Sequence, residues 1–159
     1  MTEQYYFTKR GLEIVKERML ELEAEVNALR SRLAEAVETG GNEWHDNASY
    51  EQLTADIRIL DRELAAVRET LRRAQLVEPP TAADTVCIGT TVKLQVNGTP
   101  ETWRITGYGE SDPARKAVAY NTPFAQLVMG KRAGETVKGN IAGRTVEIKI
   151  LEITRSEED

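Results

Sequence analysis

Two acidic residues three positions apart, Glu43 and Asp46, sit within the stretch ETGGNEWHDNASYEQL (38–53) and flank Trp44 and His45, the only histidine of the chain. Ionised carboxylates are hard oxygen donors, the ligand type that Mg²⁺ takes. With one His and one Cys in 159 residues, a zinc site of nitrogen and sulfur ligands is excluded in practice. No phosphate-binding glycine loop and no nucleophile–base pair is visible. On the residues alone, two readings of the acids stay open. Asp46 can cap a following helix while Glu43 is an ordinary polar turn residue, or both can be the working groups of an acidic tip. A turn between antiparallel helices needs only a few residues and seldom carries an exposed indole, which weighs toward the second reading. Protonation of His45 near neutral pH would cut the charge of the acidic pair and weaken any cation site there. Asn47 suits a loop buttress through its amide.

The elements that must position these groups are read from periodicity. Leu12, Val15, Met19, Leu22, Val26, Leu29, Leu33 and Ala36 follow one another in steps of three and four, with Thr8 as a plausible N-cap. The rhythm returns at Tyr50, Leu53, Ile57, Leu60, Leu64, Val67, Leu71 and Ala74. Two seams of nearly equal length joined by a short segment with Gly40-Gly41 predict an antiparallel coiled-coil hairpin. A parallel intermolecular coil is disfavoured because the glycine pair would interrupt its helix. Each arm, at 1.5 Å per residue, would extend about 40–45 Å. The hairpin is expected over 1–78, with its acidic tip near 40–50.

Pro79-Pro80 ends the helical pattern, and 79–84 is expected to be a linker. Residues 85–155 change texture to β, with strand-like segments at 89–96, 101–108, 114–120, 134–141 and 144–153, turns at 97–100 and 142–144, and one short helix over 122–131. Thr122 would cap that helix, Pro123 would take its first position, and Gly130 would follow its last turn. Residues 156–159 are expected to form a flexible tail. The fold class is therefore α+β.

Apolar residues make up 40% and charged residues 30% of the chain, the balance of a globular protein. The net charge of −5 lies in the first half: 11 Lys/Arg stand against 16 Asp/Glu through Glu78, and 10 against 10 afterwards. An acidic hairpin is a poor duplex-binding surface but fits a basic protein channel. The one cysteine, Cys87, allows no internal disulfide. The apolar runs are too short for a bilayer and the opening stretch has no apolar h-region, so a cytoplasmic protein without membrane contact is expected.

This layout resembles the bacterial Gre (GreA/GreB) transcript-cleavage factors, which join an N-terminal coiled-coil hairpin to a C-terminal FKBP-like β domain. The tip NEWHDNASY (42–50) is similar to the family pattern Gly-Asp-Leu-x-Glu-Asn-Ala-Glu-Tyr, and TPFAQLVMGKRAGE (122–135) to its C-terminal stretch. The resemblance implies a factor that enters the secondary channel of bacterial RNA polymerase, docks on the channel rim through its β domain, and is no enzyme alone. It implies that Glu43 and Asp46 supply oxygen ligands in trans to the second catalytic Mg²⁺ of the polymerase and promote cleavage of backtracked RNA. Trp44, His45, Asn47 and Tyr50 would then support the tip. No cofactor is implied for the chain by itself.

Two departures matter. Glu43 falls on the family's tip aspartate and Asp46 on its tip glutamate, so the two side-chain lengths are exchanged. Where relatives often carry a cation on the second helix to grip the RNA 3′ end, this chain has Thr54, and its first cation on that arm is Arg58. A weak grip on nascent RNA follows. The exchanged lengths keep a second outcome open, a Gre-fold inhibitor that fills the channel without promoting cleavage. Trp103, Tyr108, Tyr120 and Phe124 are expected in the β core; a prolyl isomerase pocket and a plain coiled-coil scaffold are weaker alternatives.

Overall fold

The computed structural model describes residues 3–40 and 48–157. The first seam becomes α1 (Lys9–Gly40) and the second α2 (Ala48–Arg72). Every described seam position is buried or half-buried, while Ile14, Leu20 and Ile59, which break the three-four spacing, are more than half exposed. Within the unit spanning Glu13–Arg73, Leu22, Val26 and Leu64 form the fully packed centre, flanked by Met19, Leu60 and Val67. The helices are antiparallel and cross-linked by ion pairs: Arg18–Glu63 at 2.7 Å, Glu23–Arg68 at 2.9 Å and Arg30–Asp61 at 2.8 Å. These pairs are solvent-exposed and each contributes little, about 0–1 kcal/mol. Apolar burial along the seam is what holds the hairpin, and the charges fix its register.

The second unit is made of residues up to Leu12 together with Ala74 onward. The boundary thus falls at 73/74, not at the expected 78. The cause is a pair of three-residue strands, β1 (Tyr5–Phe7) and β2 (Ala74–Leu76), which run parallel with Tyr5 opposite Ala74 and Phe7 opposite Leu76. Ala74, which extends the periodic seam, is therefore a strand residue. Phe7 is fully buried, and Tyr108 closes over it and over Tyr5, with ring centroids 5.7 and 4.2 Å apart. Pro79 and Pro80, expected in a linker, are half-buried against Gly89, whose φ of 92° lets the chain turn beside them.

A five-stranded sheet follows in the order β5-β4-β3-β7-β6, with β3 at Thr90–Val96, β4 at Thr99–Thr106, β5 at Ala117–Ala119, β6 at Thr136–Ile141 and β7 at Arg144–Arg155. All pairs are antiparallel except β4–β5. Residues 114–116, expected in a strand, instead take part in a 3₁₀ turn over Pro113–Arg115 that leads to Lys116 in the left-handed region. One face of the sheet buries Val92, Leu94, Ile105, Ile148 and Ile150 beneath Ala125 and Val128 of α3 (Pro123–Val128). Thr122 caps α3 by accepting from the Ala125 amide, and Pro123 takes the first position, as the sequence predicts. A bulge between Lys93 and Leu94 in the β3–β7 pairing shifts the alternation of β7, which leaves Leu151 exposed and turns Ile153 back toward the core. Trp103, Tyr120 and Phe124 pack on that core as expected, while Tyr108 belongs to the aromatic cluster around Phe7.

Two-residue loops join β3 to β4 and β6 to β7. Asn97-Gly98 has φ values of 50° and 84°, and Ala142-Gly143 has 53° and 79°. Both residues of such a loop must be left-handed, which Asn and Gly accept and Ala resists. Ala142→Asn is expected to stabilise the protein by about 0.5–1 kcal/mol. The check is a higher denaturant midpoint at unchanged m-value.

Candidate functional site

The hairpin places its connecting segment, 41–47, between the last residue of α1 and the first of α2. Glu43, Trp44, His45, Asp46 and Asn47 lie outside the described residues. Of the expected site residues, Tyr50 is described: it lies half-buried in the first turn of α2, and its carbonyl accepts from Thr54 Oγ1 at 2.8 Å. Thr54 therefore turns its hydroxyl back to its own helix and is half-buried. Asp56 accepts from Gln52 Nε2 at 2.8 Å, and Arg58 is exposed. The helix ends bordering the tip carry Glu38 and Glu51, both exposed. Among the described residues no cluster of three or more His, Cys, Asp or Glu forms a metal cage.

The ionisable groups with shifted behaviour lie elsewhere. Hydrogen bonds from Arg72 and then Arg73 hold the Glu69 carboxylate down to about 2 at the base of α2. A depressed carboxylate contributes stability above its unfolded value of about 4.3, and that contribution is lost as pH falls toward 2. Its carboxylate still reaches solvent, the side chain being 43% exposed, which keeps the effect small. Burial pushes the Cys87 thiol above its ordinary value, which leaves it protonated and slow to react at neutral pH.

The β unit contains a feature that local sequence did not reveal. An open groove of about 850 Å³ is lined by Arg10, Thr91, Thr102, Arg104, Arg115 and Lys116. Its basic residues come from α1, from β4 and from the turn before β5, so no window of sequence shows the cluster. Only the alternation of β4, with Trp103 inward and Arg104 outward, hinted that Arg104 faces away from the core. Lys116 also lies over the Trp103 ring, its Nζ 5.0 Å from the centroid.

Residues 80–155 match the family described as transcription elongation factor, GreA/GreB, C-terminal. The chain is similar over nearly its whole length to the transcription elongation factor GreA of Thermomicrobium roseum, at 28% identity over 155 residues, covering 95% of this chain and 97% of the relative. Another GreA, from Caldanaerobacter subterraneus subsp. tengcongensis, is 26% identical over 160 residues, covering 98% and 100%. The crystal structure of GreA factor homolog 1 (Gfh1) of Thermus thermophilus spans 96% of this chain and 99% of its own at 15% identity, with a TM-score of 0.45, too low to add to the sequence matches. The GreA/GreB match falls on the strand-rich unit that follows the α-helical hairpin in the chain. The chain is similar to Gre-family transcription elongation factors over nearly its whole length.

Proposed function

We propose that this protein enters the secondary channel of bacterial RNA polymerase hairpin first and promotes cleavage of backtracked RNA, with no activity of its own. The observation that carries the reading is the continuous apolar seam on both helices, which makes a slender hairpin whose turn bears Glu43 and Asp46. The donor set fits Mg²⁺ shared with a larger site: two carboxylates are what a protein commonly contributes, the remaining ligands being water and phosphate oxygens. Glu43 and Asp46 would hold the ion. When bound, it supplies Lewis-acid activation of water and phosphate. The chain itself positions two carboxylates and excludes bulk solvent from the channel.

The exchange of side-chain lengths favours a second reading. Glu43 is one methylene longer and Asp46 one shorter than in the family pattern, a displacement of roughly 1.3 Å against coordination tolerances of tenths of an ångström. A tip so displaced would occupy the channel and inhibit. The two readings part in one experiment: a stalled, backtracked elongation complex incubated with the protein and Mg²⁺. Shortened, re-extendable RNA supports cleavage stimulation, slowed extension without shortening supports inhibition, and no effect on the polymerase refutes both.

Thr54 gives a further prediction. Threonine carries no charge to offer an extruded RNA, and its hydroxyl is engaged by the Tyr50 carbonyl. Thr54→Arg is expected to raise cleavage of 3′ ends longer than two nucleotides about tenfold, the scale of one added phosphate contact. Cleavage of two-nucleotide ends should hardly change. Equal cleavage of long and short ends by the parent protein would contradict the argument.

A further inference from the structure

Four of the five tyrosines of the chain stand in the β unit, in two ring pairs that each join β1 to a later segment. Tyr5 and Tyr108 lie ring against ring, their centroids 4.2 Å apart and their planes inclined by 36°. That is closer than most aromatic pairs and leaves ring carbons in van der Waals contact. Tyr6 and Tyr120 meet edge-on, with centroids 5.6 Å apart and planes at 77°. The fifth, Tyr50, belongs to α2 and to the other unit.

Backbone hydrogen bonds hold the close pair in place. The Tyr108 amide donates to the Tyr6 carbonyl at 2.7 Å, and the Tyr6 amide donates to Tyr120 Oη at 3.2 Å. β2 holds β1 as well, the Val77 amide donating to the Phe7 carbonyl at 2.8 Å. The Tyr5 and Tyr108 rings are therefore neighbours by construction of the fold. Both residues are half-buried, which leaves part of each open to a small oxidant in solvent.

A phenol that gives up one electron and one proton becomes a phenoxyl radical, with unpaired spin on the ring carbons beside the hydroxyl-bearing one. Two such radicals held in contact couple through those carbons. We propose that Tyr5 and Tyr108 form an oxidative cross-linking site, closed to a dityrosine bond by a peroxide-driven one-electron oxidant. A carbon–carbon bond forms between one Cε of each ring, one C–H bond breaks on each ring, and both hydroxyls are restored. The two electrons and two protons released reduce one hydrogen peroxide to two waters. The rings pivot from face contact until the Cε atoms meet, a side-chain motion open to partly exposed residues. Tyr5 precedes α1 and Tyr108 follows β4, so the bond closes the chain around the whole hairpin. A cross-link over so long a loop restricts the unfolded chain and stabilises the folded one. Neither the tip carboxylates nor polymerase enters this inference.

The test exposes the full chain, at low protein concentration, to hydrogen peroxide with a haem peptide as the one-electron oxidant. The monomer is then digested, and the expected product is a peptide pair joined through residues 5 and 108, lighter by two hydrogen atoms and carrying dityrosine fluorescence. Tyr5→Phe and Tyr108→Phe keep the rings and remove the phenols. Each is expected to lower the dityrosine of the monomer at least about tenfold, because coupling depends on a partner already held in contact. Tyr6→Phe and Tyr50→Phe should change it by less than about twofold, since neither phenol touches the close pair. Denaturant midpoints give a second measurement: oxidation should raise that of the parent and leave that of Tyr5→Phe unmoved. Dityrosine mapped to Tyr6 and Tyr120, coupling between molecules only, an equal yield from Tyr5→Phe, or no coupling where free tyrosine couples would each overturn the proposal. An oxidised parent with an unchanged midpoint would likewise overturn it.

Discussion

Replacing Glu43 and Asp46 together by alanine is expected to lower cleavage of a backtracked polymerase complex at least about 100-fold, the scale seen when a preorganised charge-stabilising group is lost from an active centre. Binding to polymerase, measured by competition, should change by less than about threefold, because a tip that gives up two charges loses little else. A scaffold without tip function would be indifferent to the same change. The exchange Glu43→Asp/Asp46→Glu then separates stimulation from inhibition. A carboxylate moves by roughly one carbon–carbon bond length when a methylene is added or removed, whereas Mg²⁺ demands near-ideal octahedral placement. If the loop is already fitted to the parent lengths, the exchange displaces both ligands and cleavage falls. If the parent tip is misplaced and blocks the channel, the exchange restores the spacing and cleavage appears. The exchange variant keeps two carboxylates on the same segment, so the two results differ in the placement of the ligands and not in the charge of the tip.

What could be read in advance depended on how local the physics was. The hairpin seams were legible because burial on a helix follows a three-four rhythm, and the described seam residues from Leu12 to Leu71 are all turned inward. The short helix at 123–128 was legible because Thr122, Pro123 and Gly130 each do a local job. The β1–β2 pair was not. Tyr5–Phe7 and Ala74–Leu76 are three residues each and find their partner across the whole hairpin, so no alternation announces them. Their pairing moves the unit boundary from 78 to 73/74. The cationic groove was hidden for the same reason, its basic residues being drawn from positions 10, 104, 115 and 116. The acidic tip shows the converse case. Its candidate residues are adjacent in sequence and stand out by type, although the chemistry assigned to them came from family resemblance and not from spacing.

The second large effect is expected where α1 begins, at a cap assembled from two distant pieces of chain. Thr8 Oγ1 accepts from the Gly11 amide at 3.1 Å, as an N-cap residue should. In an ordinary capping box the third helical residue is a glutamate that reaches back to the N-cap amide. Here that third residue is Gly11, and the carboxylate comes from Glu110, 102 residues away, which accepts from the Thr8 amide at 3.3 Å and from Thr8 Oγ1 at 2.5 Å. Gly11 is required because a Cβ there would lie 2.5 Å from the Glu110 carboxyl carbon. Gly107 is constrained from the other side, where an added Cβ would strike the same carboxylate and also the Thr8 amide and Tyr6 carbonyl. Glu110→Ala is therefore expected to destabilise the protein by about 1.5–3 kcal/mol through loss of charged hydrogen bonds, and Gly11→Ala by about 1–3 kcal/mol through overpacking. Their combination should cost less than the sum of the two. With the carboxylate gone, the three atoms nearest to a Cβ at position 11 are removed, and alanine is the better helix former by about 1 kcal/mol. The decisive variant is Gly11→Glu. In the parent it crowds a second carboxylate onto Glu110 and should be more damaging than Gly11→Ala. In the Glu110→Ala background it rebuilds a local capping box and should restore about 1 kcal/mol of the loss. Denaturant midpoints for the parent and these variants measure the coupling directly, and strict additivity of Gly11→Glu with Glu110→Ala would show that the long-range cap is not what anchors the helix.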